Sequence, residues 1–278
     1  MRVGFLGPAG TFTEEALRAS APSPVEEMPY ATVREAVMAV QRGHADRAVV
    51  PIENSLEGSV TATLDALAGD AGDVRIVLDV VRPIIHCLIG RTGTRLEQVR
   101  RVVSHPQAIA QCEGFLRARL AAAEVTPATS TAEAVRAVAG SAEPWAALGS
   151  RLAAALYGCP VLAEGVEDRP GNETRFVWLA PVADARVPDA TKTSLVFWGP
   201  GDRTPGALVG VLHELSDRGI NLTKIESRPR RVGLGHYMFF LDLDGGEHDP
   251  PVAAALEALA RRVESLRVLG SYPSAGAA

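Results

Sequence analysis

The chain has 278 residues, 47% of them hydrophobic and 22% charged, which is ordinary globular composition and excludes wholesale disorder. At about 150 residues per domain this length predicts two domains. The formal net charge of −5 provides no basic field for nucleic acid or an anionic membrane, and no run reaches the roughly 18 apolar residues that a membrane span needs.

The first 181 residues alternate between apolar runs typical of strands and stripes typical of helices. Residues 2–6 predict a strand, the turn 7–11 follows, and a helix is predicted to start at Thr13 because Glu14 and Glu15 suit a first helical turn. Further strands are predicted at 48–50, 75–81, 84–89, 102–103, 145–148 and 175–179, and further helices at 32–42, 106–120, 131–138 and 150–157. This alternation predicts an α/β domain with a largely parallel sheet.

A second domain is predicted after residues 182–192, which lack periodicity and indicate a linker. The expected order is a strand at 193–198, a helix at 207–218, strands at 221–226 and 237–243, a helix at 252–263 and a strand at 266–271. This is the ferredoxin-like βαββαβ unit, spanning 193–272 and followed by a tail at 273–278. Because helices cover only one face of such a sheet, we expect a homodimer or a homotetramer.

Three polar segments follow predicted strands, where ligands bind in open α/β sheets. The turn 7–11 leads into a helix and either binds a carboxylate or is an ordinary glycine turn; it lacks the Gly-Lys-Ser/Thr ending of a nucleotide-binding loop. In segment 51–58, Glu53 and Glu57 are either an acid/base pair or Glu57 belongs to the next helix. In segment 104–107, His105 is either a base or a neighbour of a helix cap.

Metal and disulfide chemistry is not expected. Cys87, Cys112 and Cys159 are odd in number and widely spaced, so we expect buried thiols in a reducing cytoplasm. No two histidines have metal-ligand spacing, and no Ser/His/Asp arrangement is evident.

Several motifs, in order, resemble those of prephenate dehydratase. They are Gly7-Pro8-Ala9-Gly10-Thr11-Phe12, Pro51-Ile52-Glu53-Asn54-Ser55, Ser104-His105-Pro106-Gln107 and Asn172-Glu173-Thr174-Arg175-Phe176, followed by Gly206-Ala207-Leu208 and Glu226-Ser227-Arg228-Pro229, which resemble effector motifs of the regulatory ACT domain. The resemblance covers 1–272 and implies the monofunctional form. It implies a two-lobed, periplasmic-binding-protein-like catalytic domain at 1–181, with lobe one at about 1–80 plus 171–181 and lobe two at about 81–170, followed by the ACT domain.

The implied activity is the decarboxylative dehydration of prephenate to phenylpyruvate in phenylalanine biosynthesis, without a cofactor and with feedback inhibition by phenylalanine. The implied catalytic residues are Thr174, Arg175, Asn54 and Ser55. Thr174 would donate a proton or a hydrogen bond, whereas Arg175 would clamp a carboxylate or form a structural ion pair. The implied substrate-binding residues are Thr11, Glu53, Gln107, Asn172 and Phe176, and the implied effector-binding residues are Gly206, Ala207, Leu208, Asn221, Glu226, Ser227, Arg228 and Pro229. Arogenate dehydratase and a non-catalytic amino-acid sensor are the alternatives.

Overall fold

A computed structural model describes residues 1–201 and 204–274. The strands are β1 (Arg2–Leu6), β2 (Glu26–Tyr30), β3 (Arg47–Asn54), β4 (Gly58–Ser59), β5 (Val74–Pro83), β6 (Cys87–Gly90), β7 (Arg101–Ser104), β8 (Glu124–Pro127), β9 (Trp145–Gly149), β10 (Val161–Glu164), β11 (Glu173–Pro181), β12 (Lys192–Trp198), β13 (Leu222–Pro229), β14 (Tyr237–Asp244) and β15 (Ser265–Tyr272). The helices are α1 (Phe12–Ser20), α2 (Val33–Gln41), α3 (Thr61–Ala68), α4 (Pro106–Gln111), α5 (Glu113–Arg119), α6 (Thr131–Ala139), α7 (Arg151–Leu156), α8 (Ala207–Ser216) and α9 (Pro250–Ala260).

The chain forms two compact units. The first comprises Met1–Ala36, Val49–Val60 and Val81–Phe176, and the second comprises Val37–Ala48, Thr61–Val80 and Val177–Ala278.

The first unit contains a five-stranded sheet in the order β10-β6-β9-β7-β8 with helices on both faces. Alternate residues of a strand point to opposite faces, so Leu88 packs with α4 and α5 while Ile89 packs with α6 and α7. The prediction of a largely parallel sheet is wrong here: β7 is parallel to β8 and β9, but β6 is antiparallel to both β9 and β10. Short apolar runs do not encode strand direction.

The second unit contains the predicted βαββαβ unit, which confirms the ferredoxin-like fold. Strands β13, β14, β12 and β15 are antiparallel neighbours in that order. Helices α8 and α9 cover one face, with Phe197, Val211, Leu215, Leu241 and Leu259 in their shared core. Strand β15 also pairs in parallel with β5 at Gly270 and Ile76.

Several predicted boundaries are wrong because capping residues were placed too late. Helix α1 begins at Phe12, and the Thr11 hydroxyl rather than Thr13 caps it by accepting the Glu14 N–H. Likewise Ser130 caps α6. The helix predicted over 106–120 is two helices separated at Cys112, whose ψ of 15° leaves the helical range.

Other elements carried too little apolar signal to be predicted. Strands β2 and β8 contain proline, and β10 is short. The helix expected after segment 51–58 is α3, which begins at Thr61 and does not include Glu57. Strand β3 continues to Asn54, so residues 51–54 are not loop, and 84–86 are not strand. The predicted linker holds a short 3-10 turn at Val182–Asp184 and ends where β12 begins; residues 275–278 of the predicted tail lie outside the described residues. No helix in the described ranges is long and apolar enough to cross a membrane.

We predict that Gly270→Ala destabilises the second unit. A Cβ at this position would lie 2.2 Å from the backbone carbonyl oxygen of Ile76, where only the strands themselves could move. We expect a loss of about 2 kcal/mol or more in the free energy of unfolding, measured by urea denaturation. Gly72→Ala is the matched control, because nothing lies within 4 Å of its Cβ position. Equal stability of the two variants would contradict the prediction.

Candidate active site

A cavity of about 390 Å³ lies within the first unit and collects most of the predicted polar segments. Its lining includes six of the predicted site residues, namely Thr11, Asn54, Gln107, Asn172, Thr174 and Phe176. His86, Gln111, Thr129, Ser130 and Thr131 also line it. These five were not predicted as site residues; the Thr131 region was read only as a helix start, and nothing in the pattern around His86 or Gln111 marks them.

Three helices begin at this cavity. The first residues of α1, α4 and α6 line it through Phe12, Gln107 and Thr131. A helix N-terminus presents backbone N–H groups and a partial positive charge, so this arrangement suits an anion. Among the described residues no lysine or arginine lines the cavity. The positive potential therefore comes from helix dipoles rather than from charged side chains.

Thr174 lies at the start of β11 and is held by Asn54 at the end of β3. Asn54 Nδ2 donates a hydrogen bond to Thr174 Oγ1 at 2.9 Å. The other end of the Asn54 amide, Oδ1, accepts the backbone N–H groups of Leu56 and Glu57 at 3.0 Å each. The orientation of Asn54 is thereby fixed, and the Thr174 oxygen acts as an acceptor toward it. The hydroxyl hydrogen of Thr174 remains available to donate to a ligand.

A chain of amides continues behind Asn54. Asn172 Oδ1 accepts from Asn54 Nδ2 at 2.8 Å, and Asn172 Nδ2 donates to Gln111 Oε1 at 3.2 Å. Gln111 Oε1 also lies 3.0 Å from His86 Nε2. Asn172 and His86 are both buried, and burial lowers the pKa of the His86 imidazole below its ordinary value. The amides and the imidazole therefore form a polar network along the wall of the cavity, buried at Asn172 and His86 and half-buried at Asn54 and Gln111.

Glu53, Ser55 and Arg175 do not line the cavity, as far as the described residues show. Side chains alternate along β11, so Thr174 and Phe176 face the cavity while Arg175 points to the other face. There its guanidinium lies 3.3 Å from the Glu53 carboxylate. This geometry favours the structural ion pair over the carboxylate clamp. Ser55 braces the site from outside: its Oγ accepts the Glu173 N–H at 2.9 Å.

The remaining predicted substrate-binding residues, Thr11, Gln107 and Phe176, differ in their exposure and in their hydrogen bonds. The Thr11 hydroxyl donates to the Leu6 carbonyl at 2.9 Å and caps α1, so it is already used by the protein. Gln107 is exposed at the start of α4, with its backbone N–H donating to His105 Nδ1 at 3.3 Å. Phe176 is buried and contributes an apolar wall. The His105 ring thus caps α4 itself, whereas the sequence predicted either a base or a neighbour of the cap.

The predicted effector residues fall in two places in the second unit. Gly206, Ala207 and Leu208 line a cavity of about 240 Å³ together with Tyr237 and Phe239 of β14. Glu226, Ser227, Arg228 and Pro229 lie on β13, at the end of the strand order. Asn221 precedes β13 and donates to Asp244 at 2.8 Å.

The guanidinium of Arg228 is already paired. Its Nε and one terminal nitrogen lie 3.2 and 2.9 Å from one oxygen of Asp65, and the same terminal nitrogen lies 2.8 Å from the other. Asp65 belongs to α3 and also binds Arg231 at 2.6 Å. An effector carboxylate at Arg228 would therefore compete with Asp65.

The three cysteines are free and buried. Burial raises the pKa of Cys87 to about 11 and that of Cys112 to about 12, so both stay protonated thiols near neutral pH. In the described ranges no group of three or more His, Cys, Asp or Glu side chains is placed to hold a metal ion.

Comparison with known proteins finds two families in succession along the chain. The prephenate dehydratase family matches residues 3–183, and the ACT domain family matches residues 193–261. The chain is 44% identical to a prephenate dehydratase from Mycolicibacterium vanbaalenii, covering 98% of this chain and 91% of that protein. It superposes on a crystal structure of prephenate dehydratase from Arthrobacter aurescens in complex with L-Phe with a TM-score of 0.90, at 39% identity over 98% of this chain and 90% of the other. GqqA, described as a novel type of quorum quenching acylase, gives a TM-score of 0.88 at 31% identity over 99% and 98% of the two chains.

Proposed function

Since the chain belongs to the prephenate dehydratase family, we propose that the cavity of the first unit converts prephenate to phenylpyruvate, with Thr174 at the centre of the chemistry. The single observation that carries this assignment of Thr174 is the hydrogen bond from Asn54, which turns the Thr174 hydroxyl hydrogen away from the protein network.

The reaction needs one proton and no oxidant. The bond between the ring and its carboxylate breaks, and its electron pair enters the ring as carbon dioxide leaves. The ring becomes aromatic as the carbon–oxygen bond of the opposite hydroxyl breaks. That hydroxide must take up a proton to depart as water. Thr174 donates this proton, or the hydrogen bond through which it passes, and solvent restores it.

Binding of the dianionic substrate is the task of the three helix N-termini. The carboxylates would receive backbone N–H groups at α1, α4 and α6, with Gln107 and Asn172 as side-chain donors. Phe176 would pack on the ring. Arg175, Glu53 and Ser55 support β3 and β11 from outside the lining, and Thr11 holds the start of α1.

We predict that Thr174→Val lowers kcat by about 100-fold to 10,000-fold, because it keeps the shape of the side chain and removes the hydroxyl. Thr174→Ser, which keeps the hydroxyl, should retain more activity. Phenylpyruvate formation is measured at neutral or higher pH, since acid drives the reaction without enzyme. Wild-type turnover no faster than buffer refutes the dehydratase and favours the sensor. Turnover by Thr174→Val within threefold of wild type refutes only the role of Thr174.

Arogenate is the rival substrate, because it differs only by an amine in place of the side-chain carbonyl. No Asp or Glu in the described part of the chain lines the cavity, so none of these residues offers a carboxylate to pair with that ammonium, which supports prephenate. The ratio of kcat/KM on the two substrates decides between them.

Phenylalanine is the proposed inhibitor, bound by the second unit. Gly206, Ala207 and Leu208 provide a small cavity, and the segment 226–229 lies on an edge strand. We infer that a second copy of the chain completes the site by bringing the edge strand of one subunit beside the small cavity of the other. Inhibition then requires that phenylalanine bind the low-activity state more tightly than the active one.

Asp65→Asn is predicted to increase the affinity for phenylalanine by about 3-fold to 10-fold. The substitution frees the Arg228 guanidinium for the effector carboxylate, which forms a forked, charge-assisted pair. Isothermal titration calorimetry measures the affinity. Asp184→Asn is the matched control, since it breaks the Arg47–Asp184 pair in the same unit. Unchanged or weaker binding by Asp65→Asn would show that Arg228 does not receive the effector.

Self-association through the second unit is supported by its exposed apolar side chains. Ile225 on β13 is 48% exposed, and Val209, Val232 and Leu234 are exposed as well. An edge strand carrying such residues is a template for pairing with another chain. We infer a homodimer or homotetramer built on this surface.

Ile225→Asp is therefore predicted to shift the protein toward monomer and to weaken phenylalanine binding, because the effector site needs two copies. Sedimentation velocity measures the assembly state. Val125→Asp is the control, because Val125 is 44% exposed on β8 at the edge of the other sheet. Dissociation caused by Val125→Asp and not by Ile225→Asp would place the interface elsewhere.

Two further proposals concern organisation and location. We propose a catalytic domain at 1–181, a linker at 182–192 and an ACT domain at 193–272, supported by family matches to 3–183 and 193–261. The three free, buried thiols support a reducing, cytoplasmic environment.

A further inference from the structure

We propose that His86 and Gln111 are positioning residues for the dehydration step. In this proposal they fix the amide groups that hold Thr174, and neither contacts the reacting atoms. The proposal rests on the function proposed above.

His86 lines the cavity and is held through both its backbone and its ring. Only 3% of the residue is exposed. Its backbone N–H donates to the Glu167 carboxylate at 2.9 Å, and its carbonyl accepts the Val166 N–H at 3.1 Å. The ring stands edge-on to Phe12, with centroids 5.5 Å apart and planes at 84°. The imidazole therefore keeps one orientation relative to Gln111.

The hydrogen-bond partner of the ring also determines which of its two nitrogens carries the hydrogen. Gln111 Oε1 faces both His86 Nε2 and Asn172 Nδ2, at 3.0 and 3.2 Å. A carbonyl oxygen only accepts, so the hydrogen of the neutral imidazole is on Nε2 and the lone pair is on Nδ1. Nδ1 is enclosed and finds no hydrogen-bond partner in the described part of the chain. The enclosed Nδ1 also means that the ring cannot act directly on the substrate as acid or base.

The direction of each hydrogen bond then follows from the one before it. The Glu57 carboxylate can only accept, and it accepts from Gln111 Nε2 at 3.4 Å, so Gln111 Oε1 is left to accept from His86 Nε2 and Asn172 Nδ2. The oxygen of Gln111 requires the nitrogen of Asn172, which turns the oxygen of Asn172 toward Asn54 Nδ2.

Asn54 Nδ2 finally donates to Thr174, so the Thr174 oxygen stays an acceptor toward the protein and its hydrogen stays available. Removing the imidazole takes away one of the two donors that hold Gln111 Oε1, so the Gln111 side chain, and Asn172 behind Asn54, are held less firmly in place.

The test compares His86→Leu with His86→Gln. Leucine fills the space without a donor, whereas the glutamine amide nitrogen reaches the region of Nε2 and can still donate. We expect His86→Leu to lower kcat by about 10-fold to 100-fold with KM changed less than threefold, since small displacements of a catalytic group cost rate more than binding. His86→Gln should recover most of kcat. His44→Gln, at an exposed histidine, is the control for the substitution itself.

A double-mutant cycle with Gln111→Met separates positioning from general loss of stability. If both residues act through one chain, His86→Leu combined with Gln111→Met is no slower than the worse single variant. Melting temperature and phenylalanine binding are measured for every variant.

Three outcomes would overturn the positioning role in an active wild type. The first is a kcat of His86→Leu equal to that of wild type. The second is a kcat of His86→Gln as low as that of His86→Leu. The third is a double variant whose loss of kcat is the product of the two single losses. A wild type without turnover above buffer overturns the proposed function and this role together.

Discussion

The hydrogen bond from Asn54 to Thr174 is the interaction on which the site depends. A threonine hydroxyl can donate one hydrogen, and it can serve the substrate only if the protein does not take that hydrogen. Asn54 meets this requirement because two backbone N–H groups hold its oxygen and leave its nitrogen to face Thr174. The last residues of β3 must therefore stay beside the first residues of β11. The contacts of Ser55 with Glu173 hold these two strand ends together from outside the cavity.

Strand alternation decides which of the predicted residues can take part in the chemistry. In the motif at 172–176, Thr174 and Phe176 face the cavity, and Arg175 between them faces away. A motif in the sequence does not by itself show which of its side chains face the cavity. A period of two assigns them to opposite faces, and here it places the hydroxyl of Thr174, the proposed proton donor, in the cavity and the guanidinium of Arg175 on the other face.

The limits of sequence prediction follow from the same geometry. The ferredoxin-like unit was predictable because its helical stripes and β-branched runs bury one face each, as Val211 and Leu215 of α8 show. Strand direction in the sheet of β6 was not predictable, since apolar runs such as 87–90 look alike in either direction. Six cavity residues were predictable from motifs. His86 and Gln111 join the hydrogen-bond network only through partners far away in the chain, since His86 bonds Gln111 25 positions away and Gln111 bonds Asn172 61 positions away, and no local pattern reports such partners.

The arginines singled out by the motifs are paired within the protein, so in a chain of net charge −5 other groups must hold a dianion. Two arginines stood out from the sequence as carboxylate-recognition groups, and both are paired with carboxylates of the protein itself, Arg175 with Glu53 and Arg228 with Asp65. The Arg228–Asp65 pair is forked and the Arg175–Glu53 pair is a single contact at 3.3 Å, and among the described residues no arginine or lysine lines the cavity. Attraction for the substrate must then come from the starts of α1, α4 and α6, whose partial charges act over only about one helical turn. A field of such short range steers the substrate little over long distances, and binding depends strongly on how well the substrate fits the cavity. The selectivity of the cavity therefore lies in the placement of its backbone N–H groups.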